Sequence, residues 1–219
     1  MSMYMNKTKI EWCDYTWNPI TGCSPESEGC KHCYAAAMAR RFRRPWGGPV
    51  FHPARLSQPA ATKRPGRVFC CSTSDIGHGC CRVEWLTQIG EAMNAAPWHQ
   101  YIVLTKRPNQ VRLSQFPSSV WAGVTVEMDR YWTRLSDLRA PWTGQVFVSV
   151  EPMLEPVSLP KFFRPPDWVI CGPETGAVAR PCRDEWIDAL ERECVTAGIP
   201  FFDKRAGDGR RREWPKVTG

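Results

Sequence analysis

Cys23, Cys30 and Cys33 lie in one short loop, Gly22-Cys23-Ser24-Pro25-Glu26-Ser27-Glu28-Gly29-Cys30-Lys31-His32-Cys33-Tyr34, with six residues between the first pair and two between the second. Three thiolates delivered from a single loop suit a cubane [4Fe-4S] cluster, each sulfur on its own iron and the fourth iron open to a group that is not protein. The C-x2-C half taken alone also fits half of a zinc site or a redox pair, and on the residues alone both stay open. Tyr34, directly after the last thiol, is expected to pack over the site and keep water from it.

Further polar groups recur along the chain, each just after a short apolar run. Val68–Ser72 is followed by Ser74 and Asp75, and Tyr101–Thr105 by Lys106 and Arg107. Val120–Val126 carries Thr125 and leads to Glu127. Gln145–Val150 carries Ser149 and leads to Glu151. Trp168–Cys171 opens into Gly172-Pro173-Glu174-Thr175-Gly176, and Ile199–Asp203 ends on Asp203 and Lys204. Between these runs, helices are expected over Ala35–Arg44, Val83–Ala96, Asn109–Gln115, Asp129–Leu138 and Asp184–Ala197, with a Pro-broken connection around Leu159–Phe163. Phe51–Arg67, interrupted by Pro53, Pro59 and Pro65, reads as a long loop with a helical turn. A further strand is expected at Lys9–Trp12.

Short apolar strands alternating with helices imply parallel pairing through right-handed crossovers. The expected fold is an α/β (β/α) barrel, incomplete, with six to seven parallel strands in one domain over residues 1–219. The loop 22–34 supplies the cluster ligands and 207–219 forms a basic tail. In such barrels chemistry gathers at the carboxyl ends of the strands, where the polar groups above fall.

The 219 residues suffice for one such domain, and 42% hydrophobic content suffices for its core. A formal net charge of +7 favours polyanionic partners, nucleic acid first among them. Eleven cysteines in a chain whose first residues lack an apolar segment point to free thiols in a reducing cytoplasm rather than a secreted disulfide scaffold. No run approaches the roughly 18 apolar residues needed to cross a bilayer, so no membrane role is expected.

Lys9-Ile10-Glu11-Trp12, Thr16-Trp17-Asn18-Pro19-Ile20-Thr21-Gly22-Cys23 and Gly29-Cys30-Lys31-His32-Cys33-Tyr34-Ala35 resemble the start of the phage-associated three-Cys proteins. That family, of unassigned function, lies within the radical S-adenosylmethionine (radical SAM) superfamily. Ser74-Asp75, Leu104-Thr105-Lys106-Arg107-Pro108, Gly123-Val124-Thr125-Val126-Glu127, Ser149-Val150-Glu151-Pro152, Gly172–Gly176 with Ala179-Arg180-Pro181, and Pro200-Phe201-Phe202-Asp203-Lys204 continue the likeness in order. The superfamily's commonest cysteine spacing is three then two; six then two is this family's variant.

The resemblance implies a [4Fe-4S] cluster and S-adenosyl-L-methionine as cofactors, cleaved reductively to methionine and a 5′-deoxyadenosyl radical. An electron donor such as flavodoxin or ferredoxin is then required. Under that reading Ser72, Ser74 and Asp75 accept from the methionyl ammonium, Lys106 meets its carboxylate, and Glu127 binds the ribose hydroxyls beside Thr125. Gly172 and Glu174 belong to a segment that approaches adenine. Glu151 binds cofactor or substrate, and His78 serves substrate binding or proton transfer. The plainer alternatives are an ion network of Lys106, Glu127 and Glu151, a tight turn at Gly172–Gly176, and a surface loop at His78.

Cys70, Cys71 and Cys171 are expected to fill core, with Cys70 and Cys71 on opposite faces of a strand and at most one pointing into the barrel. Cys80, Cys81 and Cys182 could take a second metal, while Cys13 and Cys194 pack. Arg40-Arg41-Phe42-Arg43-Arg44, Lys63-Arg64 with Arg67, and Arg210-Arg211-Arg212 make either solvated faces or a phosphate-tracking rim with Trp46 and Trp98 as stacking rings. The substrate class this favours is a nucleic-acid base, modified or repaired, with a loose likeness to relatives that repair DNA photoproducts. The alternatives are a non-catalytic iron-sulfur or zinc module that docks nucleic acid, and a radical SAM enzyme acting on a small nucleoside-like metabolite.

Overall fold

The computed structural model describes residues 2–161 and 164–215. The strands are β1 (Asn6–Lys7), β2 (Tyr15–Trp17), β3 (Ile20–Thr21), β4 (Val50–Phe51), β5 (Arg67–Cys70), β6 (Gln100–Thr105), β7 (Trp121–Thr125), β8 (Val146–Val150), β9 (Trp168–Cys171) and β10 (Phe201–Asp203). The helices are α1 (Tyr34–Arg41), α2 (Gln58–Ala61), α3 (Val83–Asn94), α4 (Thr133–Arg139) and α5 (Asp184–Ala197). Eight strands form one sheet in the order β1-β2-β5-β6-β7-β8-β9-β10; every neighbouring pair is parallel except β1 with β2. Strands β3 and β4 pair separately. The sheet therefore starts at one edge and ends at another. It is an open, mostly parallel α/β sheet and not a closed barrel.

Side chains alternate between the two faces, as a parallel strand buried on both sides requires. Val68, Tyr101, Val103, Val124, Val146, Val148, Val150, Val169 and Phe201 join the core beneath the helices, with Leu86, Ile89 and Met93 of α3, Leu135 and Leu138 of α4, and Ile187 and Leu190 of α5. The concave face holds a separate aromatic cluster, in which Trp12, Phe69, Trp121, Phe147, Trp168 and Phe202 are buried together. Gly123 makes room for it: a Cβ there would lie 2.3 Å from the Phe147 ring. Burying a side chain such as Phe147 contributes about 1.5–3 kcal/mol.

Several sequence expectations shift locally. The first parallel strand is Tyr15–Trp17 rather than Lys9–Trp12, because the chain turns at Ile10–Cys13 (Cys13 N–H to Ile10 O, 3.2 Å) and drops Trp12 onto the concave face. Asn109–Gln115 is not a helix but two 3-10 turns, Pro108–Gln110 and Leu113–Gln115, since Val111 becomes extended in order to bury itself. The helix expected over Asp129–Leu138 begins as a 3-10 turn and becomes α4 only at Thr133. Cys70 and Cys71 do not face opposite ways. Cys71 takes a left-handed backbone (φ 61°) at the strand end, so both thiols enter the helix-side core with sulfurs 3.7 Å apart.

The expected basic tail is partly packed: residues 207–209 are exposed, but the chain after them returns to the sheet. Asp203 N–H donates to Arg211 O (2.8 Å), Trp168 Nε1 to Glu213 O (2.9 Å), and the Trp214 ring meets Phe202 at 5.0 Å. Residues 216–219 of that segment, and 162 and 163 of the Leu159–Phe163 connection, lie outside the described residues. At the amino ends of the strands, Trp98, Trp121, Trp168 and Trp214 line a cavity of about 500 Å³. At the carboxyl ends lies a second, of about 450 Å³. The cluster loop opens onto the second.

Candidate active site at the carboxyl ends of the strands

Cys23, Cys30 and Cys33 all line the carboxyl-end cavity, and all three are half-buried. Cys33 is the residue before α1 and accepts Ala37 N–H at its carbonyl (3.0 Å); Cys30 ends a 3-10 turn, Glu28–Cys30. The Cys30 sulfur lies 3.4 Å from the Glu26 amide, and the Cys23 sulfur lies 3.8 Å from Arg107 Nη1. Such donors lower the charge density on a thiolate and tune a cluster's potential. Burial, then Asp75, push the Cys23 thiol above its ordinary range against the pull of Arg107.

Among the described residues, no three His, Cys, Asp or Glu side chains converge on a position for a single metal ion. A structural zinc needs four donors drawn to one point. A cubane cluster needs something else, since its three thiolates bind three different irons. Three separated thiols around one cavity mouth, with N–H donors already aimed at two of them, fit the cluster.

The loop is held by what the strand ends contribute. From β6, Arg107 donates to Ser24 O (2.9 Å) and pairs with Glu26 (2.8 Å) and Asp75 (2.9 Å). From β7, Glu127 accepts from Ser27, pairs with Lys106, and pairs with Arg134 of α4 at 2.7 Å. Burial pushes the Glu127 carboxyl up, but Lys106, Ser27 and Arg134 outweigh it and hold it below the ordinary carboxylate range. Gly29 permits this approach, because a Cβ there would sit 2.4 Å from the Glu127 oxygen. From β9, Glu174 takes Arg180 (Nε, 2.9 Å) and His32 Nδ1 (2.9 Å). Glu28 meets Arg130 (2.6 Å) and Tyr131.

The structure places the expected site residues as follows. Glu127, expected to meet a ribose, is fully buried beneath Gly29 and is not part of the cavity wall; Thr125 of the same strand is. Lys106 does line the cavity, but its ammonium is turned to Glu127 and Ser27. Asp75 has its carboxylate filled by Thr105 (2.5 Å), Arg107, and the Gly77 and Lys106 amides, so it organises two loops. Ser74 donates to Gly22 O (2.7 Å) and Ser72 to Asn18 (3.2 Å), and both, like Asp75, line the cavity.

His78 stands outside the cavity wall. Its Nε2 meets the Ser24 hydroxyl (2.8 Å) while Nδ1 accepts the Cys80 amide (3.1 Å), so both ring nitrogens are engaged by neighbouring loops. Gly172 is also outside the wall, where its lack of a Cβ lets Lys204 come within 2.9 Å of that position. Glu174, by contrast, lines the cavity.

Glu151 forms a charged pair within the cavity wall. Its carboxylate accepts Ser149 (3.0 Å) and pairs with Lys204 of the last strand end, and all three line the cavity. Burial pulls Lys204 down, but Glu151 more than restores it, leaving the amine charged. The expected network of Lys106, Glu127 and Glu151 is thus two separate pairs. The sequence places Arg107 and Lys204 at strand ends but assigns no role to them, nor to Arg134, Arg180 or His32. Lys204, Arg107, Arg180 and His32 fall inside the matching blocks, which was the usable signal; Arg134, on a helix, gave none.

A family model described as "Protein of unknown function (DUF5131)" matches residues 7–218. No curated protein matches the sequence. Among solved structures the chain is similar to spore photoproduct lyase. A Tyr-to-Phe mutant aligns with a TM-score of 0.61 at 10% identity, covering 94% of this chain and 80% of that one. A Cys-to-Ala mutant gives 0.60 at 11%, covering 93% and 79%. A double mutant with bound AdoMet and dinucleoside spore photoproduct gives 0.54 at 11%, covering 88% of this chain and 64% of that one, so this chain spans less than two thirds of it. At these identities the likeness is one of fold.

Proposed function

The chain belongs to the DUF5131 family, and from that premise we propose that it is a radical SAM enzyme whose [4Fe-4S] cluster is held by Cys23, Cys30 and Cys33. The observation that carries this reading is the placement of three half-buried thiols of one loop on one cavity, at the carboxyl edge of an open, mostly parallel sheet. When bound, the cluster and S-adenosylmethionine supply the chemistry, a one-electron reductive cleavage that yields methionine and a 5′-deoxyadenosyl radical.

The protein's own part is to position and to exclude. Ile10, Trp12, Phe69 and Leu104 give the cavity an apolar floor that keeps water from a reactive species. Thr125 and Ser149 offer hydroxyls at the wall, and the Glu151–Lys204 pair offers one carboxylate and one ammonium to a zwitterionic or hydroxylated ligand. Asp75, Arg107, Glu127 and Lys106 act as positioning residues, fixing the loop from beneath.

The substrate class in this reading is a nucleic-acid base, modified or repaired. The basic charge supports it, as does the dinucleoside photoproduct that one structural neighbour binds. Anaerobically reconstituted protein, given dithionite and S-adenosylmethionine, is expected to release 5′-deoxyadenosine, faster when an oligonucleotide carrying the right base is added. Stoichiometric zinc with no cleavage would overturn the enzyme; turnover stimulated by free nucleosides but by no oligonucleotide would overturn the substrate class.

A further inference from the structure

Helix α1 is built inside out. Its buried residues are Ala35 and Ala39, whereas Met38 and, one residue past the helix end, Phe42 are 41% and 54% exposed. A helix that serves only its own core does the reverse. Around this stripe stand Arg40, Arg41, Arg43 and Arg44, all exposed, and no carboxylate among the described residues pairs with any of them. Arg41 and Arg44 lie 5.6 and 5.3 Å from the Phe42 ring centre. From Gly29 to Ser74 the chain has nine Lys or Arg and not one Asp or Glu.

We infer that the outer face of α1 is the docking surface for an acidic one-electron carrier protein. This rests on the cluster reading above and adds to it the partner's route. The composition is that of a protein–protein interface core, rich in aromatic residues, Met and Arg. The unpaired arginines call for an acidic partner and would steer its approach. The position says what the partner brings: α1 starts directly after Cys33, and Tyr34 lines the cavity beside it. One electron passes from the carrier's reduced flavin or iron-sulfur group to the cluster, the carrier being oxidised by one and the cluster reduced by one, with no proton or group exchanged at the surface. A nucleic-acid strand would use the arginines but would give Met38 no partner.

Flavodoxin is the probe. The wild-type protein is expected to bind it with an affinity that falls as salt is raised, and its cluster to be reduced by the flavodoxin hydroquinone. Arg40→Glu, Arg41→Glu, Arg43→Glu and Arg44→Glu together should weaken binding at least tenfold and slow reduction by flavodoxin to the same extent, while reduction by dithionite is unchanged. Met38→Ala with Phe42→Ala, which leaves the buried alanines alone, should weaken binding about tenfold with unaltered circular dichroism. No flavodoxin binding by the wild type, or binding and reduction unaffected in both variants, overturns the inference. So does loss of duplex-oligonucleotide binding with flavodoxin binding retained, which would make the face a nucleic-acid surface. If no cluster assembles, the enzymatic reading fails and the binding measurements still decide the surface.

Discussion

Glu127 shows how much one side chain carries. It is completely buried, yet three groups from three parts of the chain, Ser27, Lys106 and Arg134, converge on its two oxygens. Removing its charge leaves two cations in a dry place, and breaking a buried pair costs far more than a surface bridge is worth. Glu127→Gln is therefore expected to lower stability by about 3–5 kcal/mol in urea unfolding. Glu174 offers a test by pH. Arg180 holds it down to about 2, against burial and with help from His32. Its folded value is lower than its unfolded one, near 4.5, so its contribution is complete above that value and disappears as pH falls from there towards 2. The difference in Tm between wild type and Glu174→Gln should be constant above about pH 5 and shrink steadily below it.

The cluster loop, as an element, has almost no regular structure of its own. Its shape comes from neighbours: Arg107 and His78 grip Ser24, Glu127 and Lys106 grip Ser27, Arg130 and Tyr131 grip Glu28, and Glu174 grips His32. Arg107 is the member whose loss reaches furthest, since it also neutralises buried Asp75 and stands beside the Cys23 sulfur. Arg107→Met is expected to cost about 3 kcal/mol in stability. It should also make the reconstituted cluster bleach several-fold faster in air, followed by its visible absorbance. An unchanged bleaching rate would mean that the loop keeps its form without this clamp.

The molecule as a whole has two ends with different work. The carboxyl end bears thiols and ion pairs, and the amino end bears tryptophans and the C-terminal segment. Trp214 joins that segment to the sheet by its contact with Phe202, its hydrogen bond to Trp12 O (3.3 Å) and the Arg67 guanidinium 4.5 Å from its ring centre. Trp214→Ala should lower stability by about 2 kcal/mol, less than a fully buried tryptophan because the ring is partly exposed. Iron content and cluster absorbance after reconstitution should not change. The basic groups divide in the same way: Arg40–Arg44 follow the cluster loop, whereas Lys63 stacks on Trp98 near the amino-end cavity, so they do not form one rim.

Read without coordinates, the sequence settles what depends on neighbours along the chain. Apolar runs such as Tyr101–Thr105 and Gln145–Val150 are strands because a parallel strand buried on both faces is continuously apolar, and Cys23, Cys30 and Cys33 are together because one loop carries them. What it leaves open is which way each strand-end group turns. Thr125 and Glu127 are two residues apart, yet one faces the cavity and the other is sealed under Gly29; Glu151 meets Lys204, more than fifty residues on, rather than Lys106. Those choices are made by long-range charge pairing and close packing, which only the folded chain brings within reach.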